Sequence, residues 1–142
     1  MILIDVNVLV YAHREDAREH LAYREWVESV INGNTKYGFS ALVLSGFVRV
    51  VTHPKIFETP SSLEQALTFA NQIRSSDQAV CIAPGSKHWT FFLHCAEGIN
   101  ATGNDVSDAY HAALAMEWDC QWVTTDKGFH RFKGLRVKHP LK

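Results

Sequence analysis

Cysteine is scarce in this chain: three in 142 residues, Cys81, Cys95 and Cys120, widely spaced and with no Cys-x-x-Cys pair. An odd, scattered set excludes a disulfide-stapled secreted scaffold and a zinc knuckle, and it fits a reducing compartment such as the cytoplasm. Long apolar runs are also missing. The most hydrophobic stretch, the opening MILIDVNVLVYAH, is interrupted by Asp5 and Asn7, is too short to span a bilayer, and carries neither a basic leader nor a small-residue cleavage site. No membrane role is expected. Also absent are a His-Glu-x-x-His zinc motif, Cys-His ligand spacing and the glycine-rich loops GxGxxG and GxxxxGK[ST], which argues against a zinc enzyme or one built on a nucleotide cofactor. There is no internal repeat and no low-complexity segment.

What is present is an ordinary globular composition, 46% hydrophobic and 20% charged, at a length that suits one domain over residues 1–142. Net charge is close to zero but unevenly placed. Residues 127–142, KGFHRFKGLRVKHPLK, hold six of the fourteen Lys and Arg and no acid, whereas the rest of the chain has fifteen acids against eight bases. Such asymmetry marks either a polyanion-binding edge or a solvated C-terminal strand and tail.

Apolar spacing alternates short strands with longer helices. ILI reads as a buried strand and VNVLVYAH as a helix starting just after Asp5, whose carboxylate can accept the first free helical amides. REHLAYREWVESVING reads as a helix with Leu21, Val27, Val30 and Ile31 on one face and Gly33 as its stop. KYGFS is a strand, ALVLSGFVRVVT a helix closed by Pro54, and HPKIFETP a loop. SSLEQALTFANQIRSS opens with Ser61 and Glu64 in capping-box spacing and places Leu63, Ala66, Leu67 and Ala70 on one side. QAVCIAP is a strand, SKHWTFFLHCAEG and NDVSDAYHAALAMEW are helices, QWVTT is a strand, DKGF a turn and LRVK a last short strand. This order predicts an α/β fold: a three-layer α/β/α domain with a central, mainly parallel sheet.

In such sheets ligands bind beyond the carboxyl ends of the strands. Three aspartates fall there: Asp5 after the first strand, Asp126 after QWVTT, and Asp108 in the first turn of the preceding helix. Each alone has a structural role open to it, as N-cap, turn former or first-turn acid. Gathered in one crevice, they would repel one another unless a cation sat between them, and an all-oxygen donor set points to Mg²⁺ or Mn²⁺. Asp105 is a further candidate ligand, three residues before Asp108 on the same helical face, or simply a cap. His111, three residues beyond Asp108, could approach a leaving oxygen or be a half-exposed helix position.

The segments ILIDVNVLVYA, SALVLSGFVRVVTHPKIF, NDVSDAYHAALAMEWDCQWVTTDKGFHRFKGLR and the final HP together resemble PIN-domain ribonucleases, in particular VapC-like toxins of toxin-antitoxin pairs. Their most specific parts are the Asp-x-Asn-x-Leu start, the Asp-Ala-x-x-Ala-Ala helix at Asp108 and the Thr-x-Asp-x-x-Phe turn around Asp126 and Phe129. The resemblance implies metal-dependent cleavage of RNA at an acidic cluster, a homodimer, and a cognate antitoxin as partner. On it, Asp5 and Asp108 match the metal-binding aspartates and Asp126 the late acid of the cluster. Thr125 matches a hydroxyl-bearing position lining the site, and Asn7 the small polar residue two places after the first aspartate; both are candidate substrate contacts, with a helix-start hydrogen bond that orders the loop the other role open to Asn7. Lys127, Arg131, Lys133 and Arg136, with Arg49, become candidate contacts to RNA phosphates. Trp26, Trp89, Phe91 and Phe92 are either core or a dimer and antitoxin face.

The chain departs from the family at one position. A glutamate expected on the helix after the second strand is replaced in register by Gly46, which leaves three carboxylates where four are usual. The alternative function is therefore a catalytically weakened module that binds RNA or a protein partner without cutting. A small-molecule phosphohydrolase fits less well, because the first motif is Asp-x-Asn and offers no paired acid.

Overall fold

A computed structural model describes residues 1–142. Five strands, β1 (Ile2–Ile4), β2 (Tyr37–Phe39), β3 (Ala79–Cys81), β4 (Gln121–Val123) and β5 (Val137–Lys138), form one sheet in the order β3-β2-β1-β4-β5, and every pairing is parallel. The central pair is β1 with β4, with Ile2, Leu3 and Ile4 opposite Gln121, Trp122 and Val123. Both strands are apolar in consecutive residues because both faces are covered; Leu3, Trp122 and Val123 are fully buried. Gly38 is required in β2, since a Cβ there would lie 2.8 Å from Ile82 Cγ1 and 3.2 Å from the Ile2 carbonyl oxygen.

Six helices cover the sheet: α1 (Val6–His13), α2 (His20–Ile31), α3 (Ala41–Val51), α4 (Leu63–Ser75), α5 (His88–Gly98) and α6 (Asn104–Glu117). α1 packs on α2 and α3, α3 on α4, and α5 pairs with α6. The chain winds outward through β1, β2 and β3, then returns through α5 and α6 on the other face to lay β4 against β1. Winding therefore reverses between β1 and β4, and the crevice of an open parallel sheet opens at that reversal. α6 comes close to its neighbours because Ala109, Ala112, Ala113 and Ala115 bury only small side chains there, each without exposure.

The three-layer architecture matches the sequence reading, and the sheet is wholly parallel. Several details differ. In α2 the buried stripe is Tyr23, Trp26, Val27, Val30 and Ile31, whereas Leu21 is 68% exposed. The helix starts at His20, after Glu19 in a left-handed conformation, and at about 100° per residue Leu21 falls on the opposite side of it from Val30. The capping box of α4 is formed by Ser62 and Gln65, one residue later than Ser61 and Glu64. With that shift, Ala66, Ala70 and Ile73 face the core, and Leu63, at 60% exposure, faces outward. The DKGF turn is the start of a 3-10 helix, Lys127–Arg131. All three cysteines are free, and no helix is long and apolar enough to cross a membrane.

Candidate active site

Asp5 leaves β1 and caps α1. Its backbone is extended, and its Oδ1 accepts the Val6 N–H at 2.7 Å. Oδ2 accepts the Thr124 hydroxyl at 2.7 Å and the Asn7 side-chain amide at 3.1 Å. That amide also donates to Thr124 Oγ1 at 3.2 Å, while its carbonyl accepts the Thr125 N–H at 3.2 Å. Thr124 Oγ1 in turn accepts the Asp126 N–H at 3.0 Å. The ends of β1 and β4 are thus tied by side chains as well as by the sheet. Asp126 then starts the 3-10 helix, accepting the Gly128 N–H at 2.8 Å.

The hydroxyl at the heart of this network is Thr124, not Thr125. Thr125 contributes its backbone amide, and its side chain does not line the cleft. Thr124 follows directly on β4, beside Asp5 at the end of β1, and its buried hydroxyl bonds Asp5, Asn7 and the Asp126 N–H, whereas Thr125 enters the network only through its N–H. The pair of threonines was the signal, and only the facing decides between them.

Asp108 approaches from the opposite helical layer. α6 begins at Asn104, so Asp108 stands in the second turn rather than the first, and the first-turn acid is Asp105. A carboxylate in that position gains little from the helix terminus, which removes one structural reason for it. Asp5, Asp108 and Asp126 all line one cleft of about 640 Å³ at the carboxyl ends of the strands. Asn7, Gly46, Arg49 and His111 also line it. An apolar part of the wall is formed by Val10, Tyr11, Leu42, Val50, Ile56 and Phe57, and spacing along the chain gave no hint of it.

Electrostatics marks the cleft. Asp5 is 7% exposed, and burial pushes its carboxyl up to about 6, with repulsion from Asp108 and Asp126 adding to the rise and the Thr124 and Val6 hydrogen bonds opposing it. Asp108 is raised by burial and by Asp126, against the pull of Arg131. A buried carboxylate repelled by two others at the same cleft favours an added positive charge. The all-oxygen donor set suits a hard divalent cation. As the side chains stand, no three acidic, histidine or cysteine groups are gathered tightly enough to share one ion, so ligation requires them to reorient.

The other candidates are placed as follows. Arg49, on α3, is exposed on the cleft wall and forms no ion pair or hydrogen bond through its guanidinium. Lys127 is exposed immediately after Asp126 but does not line the cleft. Arg131 is committed to acids, with Nη2 at 2.9 Å from Asp105 Oδ1 and 3.3 Å from Asp108 Oδ2. Asp105 faces Arg131 outside the cleft. Arg136 pairs with Asp119, and Lys133 is exposed. His111 is 8% exposed, is stacked on Trp122 with ring centroids 5.4 Å apart, and is held by burial down to about 4, so it is a neutral, nearly buried ring and not a half-exposed one. Gly46 does face the cleft; a Cβ there would meet only Val6 Cγ2, at 3.3 Å. Trp89 is exposed, while Trp26, Phe91 and Phe92 pack partly against the core.

Comparison with known proteins agrees with this geometry. Residues 2–135 match the model of the PIN domain. The chain is 43% identical over 141 residues to VapC ribonuclease Mb2897 of Mycobacterium bovis, covering 99% of this chain and 96% of the relative, and equally to Ribonuclease VapC43 of Mycobacterium tuberculosis. It is 32% identical over 140 residues to Ribonuclease VapC25 of M. tuberculosis, covering 99% of each. The fold is shared with VapBC2 from Rickettsia felis, solved bound to a promoter DNA fragment, at a TM-score of 0.69 with 19% identity over 98% of both chains. FitAcB from Neisseria gonorrhoeae gives a TM-score of 0.62 with 17% identity, over 99% of this chain and 98% of that one. This chain belongs to the PIN-domain family, in its VapC ribonuclease branch.

Proposed function

We propose that the protein is a metal-dependent endoribonuclease, the toxin of a toxin-antitoxin pair, hydrolysing RNA phosphodiester bonds at the Asp5, Asp108 and Asp126 cleft with Mg²⁺ or Mn²⁺. The observation that carries this is the convergence of three carboxylates from three distant parts of the chain on the sheet's switch point, one of them buried and raised to about 6. A divalent ion held there supplies charge neutralisation and a water of lowered pKa. The chain's own residues do the rest. Asp5 is locked by Val6, Asn7 and Thr124, so it presents a fixed oxygen edge; Asn7 has both ends of its amide engaged and acts as a positioning residue. Arg49, with its guanidinium unpaired on the cleft wall, and Lys127, exposed beside Asp126, are placed to receive phosphate oxygens.

The relatives' ribonuclease names and the VapBC and FitAB neighbours support RNA as substrate and a cognate antitoxin as partner. We place the working protein in the cytoplasm, as a homodimer with residues 1–142 forming one folding unit. The test is incubation of purified, antitoxin-free protein with a mixed RNA pool, with Mn²⁺ or EDTA, beside Asp5→Asn. Cleavage is expected with Mn²⁺ only and is lost in the variant; cleavage indifferent to both EDTA and the substitution overturns the proposal.

Gly46 favours one second reading. With no carboxylate at that point of the cleft, the site carries one negative charge fewer, and the protein would hold RNA or a protein partner without cutting. Mn²⁺ that binds without restoring cleavage selects this reading.

A further inference from the structure

Arg131 lies just outside the cleft at the end of the 3-10 helix, where its Nη2 reaches two carboxylates of α6 at once. The contact to Asp105 is the shorter, 2.9 Å against 3.3 Å to Asp108. Below it, the guanidinium carbon stands 5.3 Å from the centre of the Phe132 ring, a second hold on the same group. Asp105 and Asp108 are three apart on α6 and so share a face, but only Asp108 also lines the cleft. One cation is therefore shared between an acid of the site and an acid outside it. Asp108 is, in addition, the only one of the three cleft aspartates in an ion pair.

We propose that Arg131 is a positioning residue that competes with the divalent ion for Asp108, withdrawing to Asp105 when the ion binds. The inference rests on the metal-dependent reading above. It accounts for an arginine of the basic segment that, though exposed, is paired with two carboxylates of α6, one of which lines the cleft. Because a guanidinium offers five N–H donors in a fork, giving up Asp108 leaves Arg131 paired with Asp105, so its charge is never stranded. Asp105 thus acts as the resting place of the arginine and not as a metal ligand.

The test is a double-mutant cycle read by Mn²⁺ calorimetry, with thermal melts of the metal-free proteins alongside. Arg131→Gln tightens Mn²⁺ binding about fivefold, the scale of one partly exposed ion pair, and lowers the metal-free melting temperature. Asp105→Asn weakens Mn²⁺ binding about threefold, because the arginine then leans wholly on Asp108, and changes it less than about twofold in the Arg131→Gln background. Equal weakening by Asp105→Asn in both backgrounds makes Asp105 a ligand and overturns the proposal. Wild-type binding that Arg131→Gln leaves unchanged or weakens overturns the Arg131 role alone. Absence of Mn²⁺ binding in both wild type and Arg131→Gln overturns the metal reading and this inference with it.

Discussion

Single side chains decide the chemistry of this cleft, and position 46 shows how finely. Gly46 faces the acids, and its absent Cβ would press only on a movable Val6 methyl at 3.3 Å. A glutamate there gains helix propensity over glycine, roughly 0.5–1 kcal/mol, against an overpacking cost of about 1 kcal/mol. The two nearly cancel. Gly46→Glu is therefore expected to keep the melting temperature within a few degrees and to tighten Mn²⁺ binding about tenfold, because a fourth carboxylate joins the cleft. Unchanged affinity, measured by calorimetry, would mean that the new side chain does not reach the acids. The three aspartates were named from residue type and order, and the Thr-x-Asp-x-x-Phe motif already contained Thr124, but which of two adjacent threonines meets Asp5 is undetermined until β4 is in place.

At the scale of elements, most of the fold follows from local pattern. Buried apolar pairs, Leu3–Ile4 and Trp122–Val123, make β1 and β4, and Asp5 and Ser40 cap α1 and α3 through their side chains. The misplacements arose where two neighbouring residues could each serve. Ser61 and Ser62 both precede α4, but only Ser62 accepts from the Gln65 N–H, at 3.1 Å, while Ser61 is held by His13 at 2.9 Å. Tertiary contact took one serine and left the other to cap. Ser62→Ala is expected to cost about 1 kcal/mol in denaturant melts without altering RNA cleavage, since α4 does not line the cleft. Ser61→Ala removes the hydroxyl contacts to His13 at 2.9 Å and Arg14 at 3.3 Å but no helix cap, and is expected to cost less, so the pair of variants reads out which serine is the cap.

For the whole molecule, pH sets two buried groups against each other. The Asp5 carboxyl keeps its proton up to about 6 when folded and releases it near 3.8 in the unfolded chain, so its contribution to stability is present at low pH and is lost as pH rises through that window. His111 runs the other way: folded, it stays neutral down to about 4, and stability is lost as pH falls below 6.5. Each effect is about 3 kcal/mol at most. Melts of metal-free protein in chelator are thus expected to be nearly flat between pH 4 and 6.5. Asp5→Asn removes one side of the balance: it is expected to melt higher than wild type at pH 7, by about 1–2 kcal/mol, and to lose stability steadily on acidification. A flat profile in that variant would show that His111 does not carry the opposing effect. The same long-range closure has a temporal side. The Thr124 to Asp5 bond joins residues 119 positions apart, and β1 has no partner on its β4 side until β4 exists. The cleft between Asp5 and Asp126 can therefore close only after residues 121–126 have been synthesised, so a nascent or prematurely terminated product that lacks β4 cannot bring the three aspartates together.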